Sequence, residues 1–196
     1  MKRLSNFLIV FGIAAVAFSL IVFIFTFFPI IKNELDYSLI HHDANANIVH
    51  SVDDEFGIVI PKIGANSKVI ADVNPYNESE YQWALTKGVA HAKGSVYPGE
   101  KGNVFLFSHS SVDFYEALRY NSIFYLLNKL KKDDKIYLFY KKVKYQYKIV
   151  EIKYADPTNI SYLRQKMNRK TVTLMTCWPP GTTFKRLLVI GELVKK

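Results

Sequence analysis

Three side chains in this sequence are suited to nucleophilic chemistry as a set: Cys177, His109 and Arg186. A thiolate attacks a carbonyl carbon, an imidazole moves the proton, and a guanidinium neutralises the developing oxyanion. Cys177 is the only cysteine, and it sits where the apolar run Thr171–Thr176 gives way to Trp178-Pro179-Pro180-Gly181. Most free cysteines are small buried hydrophobes; the position at a run's end, beside polar Thr176, argues for chemistry. His109 follows the apolar run Asn103–Phe107, so its imidazole is expected to face Cys177 across a barrel mouth. Arg186 comes nine residues after Cys177 and opens the run Arg186–Val194. On spacing alone it is an ordinary strand-end charge. No carboxylate is placed by the sequence to orient His109. With ordinary pKa values of ~8.5 and ~6.5, an uncoupled Cys–His pair holds its thiolate–imidazolium form only about 1% of the time near neutrality.

Other candidates carry less. His91, in GVAHAKG, is the alternative acid/base, but its turn-rich surroundings favour a structural part. His41, His42, His50 and Asp43 have no strand or helix register that would fix a metal. Glu100, Asp113 and Glu116 lie near the His109 segment without a spacing that singles out a cation site. No cofactor and no metal are therefore expected. Lys129, Lys131, Lys132, Lys135, Lys141, Lys142, Lys144 and Lys148 alternate with aromatics, which can suit nucleic acid. The simpler account is a hairpin with a solvated lysine face, attractive to anionic lipid or wall polymer.

The elements that must position these groups follow from composition and patterning. Of 196 residues, 49% are apolar and 22% charged, which excludes a disordered chain. The balance of 26 basic and 17 acidic residues gives a net charge of +9, suited to anionic partners. Lys2 and Arg3 precede an uncharged run from Leu4 to Ile31, longer than the ~20 residues that cross a bilayer. Ala15-Val16-Ala17 has the form of a cleavage site, but Phe18–Phe28 stays apolar, which favours an uncleaved anchor. The charge before the span predicts a cytoplasmic N-terminus and an extracytoplasmic remainder. The expected organisation is an anchor over 1–31, a juxtamembrane linker over 32–55 and one folded domain over 56–196. An outward-facing domain rarely meets nucleic acid, so none is expected as a partner.

Within that domain, Gly57–Ile63 is a strand that Pro61 marks as edge or bulged. Lys68–Val73 is a second extended run, Tyr81–Leu85 a helical turn, and Val96–Gly102 turn chemistry. Tyr115–Leu130 carries apolar residues at helical spacing. Lys135–Tyr140 and Tyr145–Tyr154 form a hairpin, closed off by Asp156-Pro157. Ser161–Asn168 suits a helical turn in a loop, and Thr171–Thr176 and Arg186–Val194 are strands. Seven or eight short strands with few helices predict a mainly β fold, closed into a small barrel that removes exposed edges, with a sandwich as the alternative.

The stretch TLMTC (Thr173–Cys177), with WPPGTTFKR and LLVIGEL after it, resembles the signature of sortases. GVAHAKGSVYPGEKGNVFLFSHSS (Gly88–Ser111) is similar to that family's segment around its histidine. YADPTNISYL (Tyr154–Leu163) is similar to the segment leading into its substrate-flanking loop. The resemblance covers residues 57–194 in order. One departure is Ser108, where many sortases carry Gly. The resemblance implies a sortase-like β-barrel with Cys177 as nucleophile, His109 as acid/base, Arg186 on the substrate carbonyl and Thr176 against the substrate. It also implies the reaction: a C-terminal sorting signal on a protein substrate is cut, and its carboxyl side is joined to an amine on a cell-wall precursor or pilin. Residues 4–31 would meet membrane lipid. Two other functions remain open on the residues alone. The acyl-enzyme could end with water, as in a thiol hydrolase, or the barrel could be a non-catalytic binder of anionic wall polymer.

Overall fold

The computed structural model describes residues 2–40, 49–110, 123–158 and 168–195. A single helix, α1 (Lys2–Ile40), runs through the apolar segment and on into residues expected as linker. Its stretch Asn6–Ile24, of mean hydropathy 3.0, is long and apolar enough to cross a membrane, and none of it is buried. The expected helices within Tyr115–Leu130 and Ser161–Asn168 fall largely outside the described residues. Of the first, the 3₁₀ turn Tyr125–Lys129 is described.

Eight strands follow: β1 (Phe56–Ile60), β2 (Ala65–Val73), β3 (Val89–Ala92), β4 (Gly102–Phe107), β5 (Lys135–Tyr140), β6 (Val143–Ala155), β7 (Lys170–Trp178) and β8 (Lys185–Lys195). They close into a barrel in the order β1-β2-β3-β4-β7-β8-β6-β5. The strand pattern is period two, so alternate side chains point inward. Ile58 and Ile60, Val104 and Leu106, Val172 and Leu174, Leu187 and Val189, and Ile136 and Leu138 fill the interior together. A second apolar layer lies on the outer face, where Phe105, Phe107 and Leu188 meet Ala84 and Leu85 of α2 (Glu78–Leu85).

Several expectations are corrected by closure. β1 is not an edge: it pairs with β2 on one side and β5 on the other, and all five of its residues are buried. Pro61 escapes the ladder by beginning a 3₁₀ turn, Pro61–Ile63, where a missing N–H costs nothing. The turn ends on Gly64 at φ 64°, a left-handed value that glycine adopts without strain. Within GVAHAKG, Val89–Ala92 is a strand with turns on either side. β3 is only four residues long and sits between glycines, which hid it; it runs parallel to β2 and antiparallel to β4. The short helical turn is a two-turn helix whose start is Asn77. Its side chain accepts from Glu80 N, while Glu80 Oε1 accepts from Asn74 N at 2.8 Å.

The β5–β6 hairpin turns on Lys141 and Lys142, both at positive φ (49° and 65°). This suits the twist of a two-residue hairpin, at about 1–2 kcal/mol of strain per non-glycine residue. Their amides are held by Glu55 O at 3.0 Å and Asp54 O at 2.9 Å, which offsets that strain.

His91 points into the barrel wall and is fully buried. Its Nε2 lies 2.7 Å from Ser95 Oγ and 3.1 Å from Val96 O, while Nδ1 accepts from Asp72 N at 3.3 Å. It stacks on Tyr97, with ring centroids 4.8 Å apart. Burial pushes its pKa down from the ordinary value, against smaller opposing effects of Val96 and Asp72. The unfolded chain therefore binds a proton at mildly acid pH that the folded chain resists. Stability is present above the unfolded pKa of about 6.5 and is lost as pH falls below it. Thermal melts between about pH 8 and about pH 5 test this. The melting temperature should drop on acidification, and His91→Gln, less stable at neutral pH, should show a shallower drop.

Candidate active site

The site is assembled by strand register. β4 and β7 are parallel neighbours, with Phe107 opposite Met175. Ser108 N continues the ladder onto Met175 O at 3.2 Å. Keeping the same offset of 68 residues sets His109 beside Cys177. β7 and β8 are antiparallel neighbours, with Cys177 directly opposite Arg186. Cys177 and Arg186 thus share one row on adjacent strands, and His109 lies two residues past the end of β4 on the other side of β7. Neighbouring strands are about 4.8 Å apart, so residues in a row on one face are within reach of one another.

Alternation decides the face. Leu174 and Leu187 point inward, so Cys177 and Arg186 point outward. The row does not face across the barrel mouth, as expected; it lies along the outer wall. The same-face row two residues earlier is Phe107, Met175 and Leu188, which packs beneath α2. The polar row therefore stands on an apolar footing and is half-buried throughout. Arg186 Nη1 lies 3.4 Å from Cys177 Sγ and donates to Thr183 O at 3.3 Å. The guanidinium is thus held between the thiol and the loop that joins β7 to β8. That loop contains a cis Trp178–Pro179 peptide and closes with Thr182 N on Pro179 O at 3.0 Å.

The same register is pinned at both ends by threonines. Thr171 and Thr173 each donate to Asn103 Oδ1 at 3.0 Å, tying the far end of β7 to β4. Thr176 Oγ1 donates to Ser108 O at 2.9 Å, tying the near end. Thr176, expected against the substrate, is 2% exposed and turned from the face of Cys177. It positions the backbone that carries His109. The hydroxyls of Ser108 and Ser110 are buried without a hydrogen-bond partner among the described residues. Such a group costs about 1–3 kcal/mol.

Two residues on α2 escaped the sequence analysis. Gln82 Oε1 lies 3.2 Å from His109 Nε2, where no carboxylate had been found. Tyr81 sets its ring edge-on to Phe107, with centroids 6.5 Å apart. Burial is the largest influence raising the Tyr81 pKa, followed by the charge of Glu78; Cys177 adds to the rise, while Gln82 and Arg186 oppose it. Tyr81 is thus close enough to feel the thiol and the guanidinium. Both lie within the expected helical turn Tyr81–Leu85, whose packing over Phe107 and Leu188 joins segments distant in sequence. His91 lies outside the row. Asp113, Glu116, His41 and His42 lie outside the described residues, and His50 is exposed. Among the described residues no group of three or more His, Cys, Asp or Glu comes together as a metal site.

Residues 58–194 match the Sortase domain family. Sortase A of Listeria monocytogenes is 32% identical over 138 residues, covering 70% of this chain and 55% of that protein. Sortase D of Bacillus subtilis is 28% identical over 138 residues, covering 69% of this chain and 61% of that protein. The crystal structure of sortase C-1 from Actinomyces oris is similar at a TM-score of 0.61 and 28% identity, covering 86% of each chain. The chain belongs to the sortase family, cysteine transpeptidases of the cell surface. It spans little more than half the length of the Listeria and Bacillus relatives.

The threonine clasp can be tested by stability. Thr176→Val keeps the shape and removes the donor to Ser108 O, leaving a buried carbonyl short of a partner. Denaturant unfolding should show a loss of about 1–3 kcal/mol. Ser108→Ala removes an unpaired hydroxyl and should cost less than Thr176→Val in the same assay.

Proposed function

We propose that this chain is a membrane-anchored, extracytoplasmic cysteine transpeptidase. It cuts a sorting-signal peptide and passes its carboxyl side to an amine on a cell-wall precursor or pilin. The observation that supports the reading is Arg186 opposite Cys177 on adjacent strands, with its Nη1 at 3.4 Å from the sulfur. Cys177 Sγ attacks the scissile carbonyl, forming a C–S bond and an oxyanion that the Arg186 guanidinium neutralises. The C–N bond then breaks, and His109 gives its proton to the departing amine. The incoming amine attacks the thioester, His109 accepts its proton, and the thiolate leaves. Water in place of the amine would make the same site a hydrolase. The loop from Trp178 to Lys185 borders the row and supplies the substrate groove.

Anchoring rests on the apolar stretch of α1 and on where its chain meets the barrel. Asn66, at the start of β2, accepts from Val52 N at 3.0 Å and donates to His50 O at 2.9 Å. By the strand directions, the start of β2 shares a rim with the ends of β4 and β7. The tether thus enters at the rim that carries the site, which suits a protein substrate that is itself held at the membrane. Lys2 and Arg3 favour a cytoplasmic N-terminus.

Intact-mass spectrometry with sorting-signal peptides, with and without an added oligoglycine or diamine, tests the reading. A thioester adduct on the wild type, absent from Cys177→Ala and discharged onto the amine, is the expected result. Discharge only by water would make the protein a hydrolase; no adduct with any peptide would favour a binding barrel. Arg186→Ala should slow adduct formation by about 10²–10³-fold. Arg186→Lys should recover only part of that, because an ammonium lacks the planar fork.

A further inference from the structure

We propose that Gln82 is a positioning residue that fixes the proton on Nε2 of His109 and so sets the tautomer with which the imidazole meets the reaction. The inference rests on the transpeptidase reading for its kinetic consequence, but not for its structural content. A neutral imidazole has one nitrogen that donates and one that accepts. At 3.2 Å from the amide oxygen of Gln82, Nε2 is the donor.

The helix holding Gln82 is not free to adjust. Asn77 and Glu80 tie its first turn to the chain before it. Ala84 and Leu85 bury its last turn at 1% and 4% exposure, against Phe107 and Leu188. The acceptor is therefore set before any substrate arrives, as preorganisation requires.

The choice of an amide has a chemical meaning. A carboxylate at this place would hold the same tautomer and also stabilise the imidazolium. An amide holds the tautomer with no net charge. The charged and titratable groups that act on Tyr81, the neighbour of Gln82 on α2, are Glu78 on the same helix, Cys177 on β7 and Arg186 on β8. Gln82 thus sets direction without setting charge.

Three variants of the full-length chain in detergent micelles separate the outcomes. The nitrogen NMR shifts of the His109 ring report the tautomer without any substrate. The wild type should show a single tautomer with the proton on Nε2; Gln82→Ala should show a mixture. Adduct formation should fall about ten- to a hundredfold in Gln82→Ala at an unchanged melting temperature, and Gln82→Asn, too short to reach, should behave like it. Gln82→Glu should keep the tautomer and raise the His109 pKa by about one unit or more, moving the alkaline limb of the rate profile upward. Wild-type tautomer shifts in Gln82→Ala, or an unmoved pH profile in Gln82→Glu, would overturn the proposal. If the wild type formed no adduct at all, the transpeptidase reading would fail while the NMR comparison still decided the part played by Gln82.

Discussion

The site depends on one constraint, the parallel pairing of β4 with β7. A parallel pair cannot be closed by a short turn, so β5, β6 and their connections must intervene before β7 can lie beside β4. That detour separates His109 from Cys177 by 68 residues of sequence and brings them to adjacent strands. The antiparallel partner β8 then needs only the short loop after Trp178 to bring Arg186 opposite the thiol. A slip of one residue in the β4–β7 register would turn His109 to the other face. This explains the concentration of side-chain bonds between these two strands. Asn103 accepts from Thr171 and Thr173 at one end, and Ser108 O from Thr176 at the other. None of these groups touches the thiol, yet each excludes a register in which the row would not form.

The apolar rows do the complementary work. Leu174 and Leu187 bury the inward face of the site strands, while Phe107, Met175 and Leu188 carry α2 on the outward face. The row of polar groups is the next step along that outward face, past the edge of the helix. It keeps a half-buried surroundings, where a charge interaction counts for more than in water, and it stays open to a peptide. α2 closes one side through Tyr81 and Gln82, and the loop holding Arg186 by Thr183 O closes another.

Legibility in the sequence followed the range of the interactions. The nine-residue spacing of Cys177 and Arg186 is a local antiparallel pairing across a Pro-rich loop, and the residues alone brought the two into consideration. The β5–β6 hairpin was legible for the same reason, although its Lys-Lys turn lacks the usual Asn-Gly; its backbone is held from outside by Asp54 and Glu55. β3 was not legible, because four residues between glycines carry too little pattern, and its strand conformation comes from β2 and β4. The position of the row on the wall instead of at the mouth was also hidden. It follows from the parity of residues on three strands whose neighbours in space are far apart in sequence. Gln82 lay within the expected helical turn, but its contact with His109 joins positions 27 apart in sequence and uses an amide where a carboxylate would be the usual partner.

The two domain histidines show why proximity to an apolar strand does not by itself assign chemistry. His91 has partners on both ring nitrogens, no exposure, and aromatic neighbours in Tyr97 and Phe56. Charging it would place a proton where Asp72 N already donates, so burial and hydrogen bonding act together to hold it neutral. Such a group contributes to the shape of the barrel and resists proton transfer. His109 stands half-exposed just past the end of its strand, beside a neutral amide and in line with a thiol. The difference arises from two residues of the barrel's geometry: a strand that continues into the wall at His91, and one that stops at Phe107.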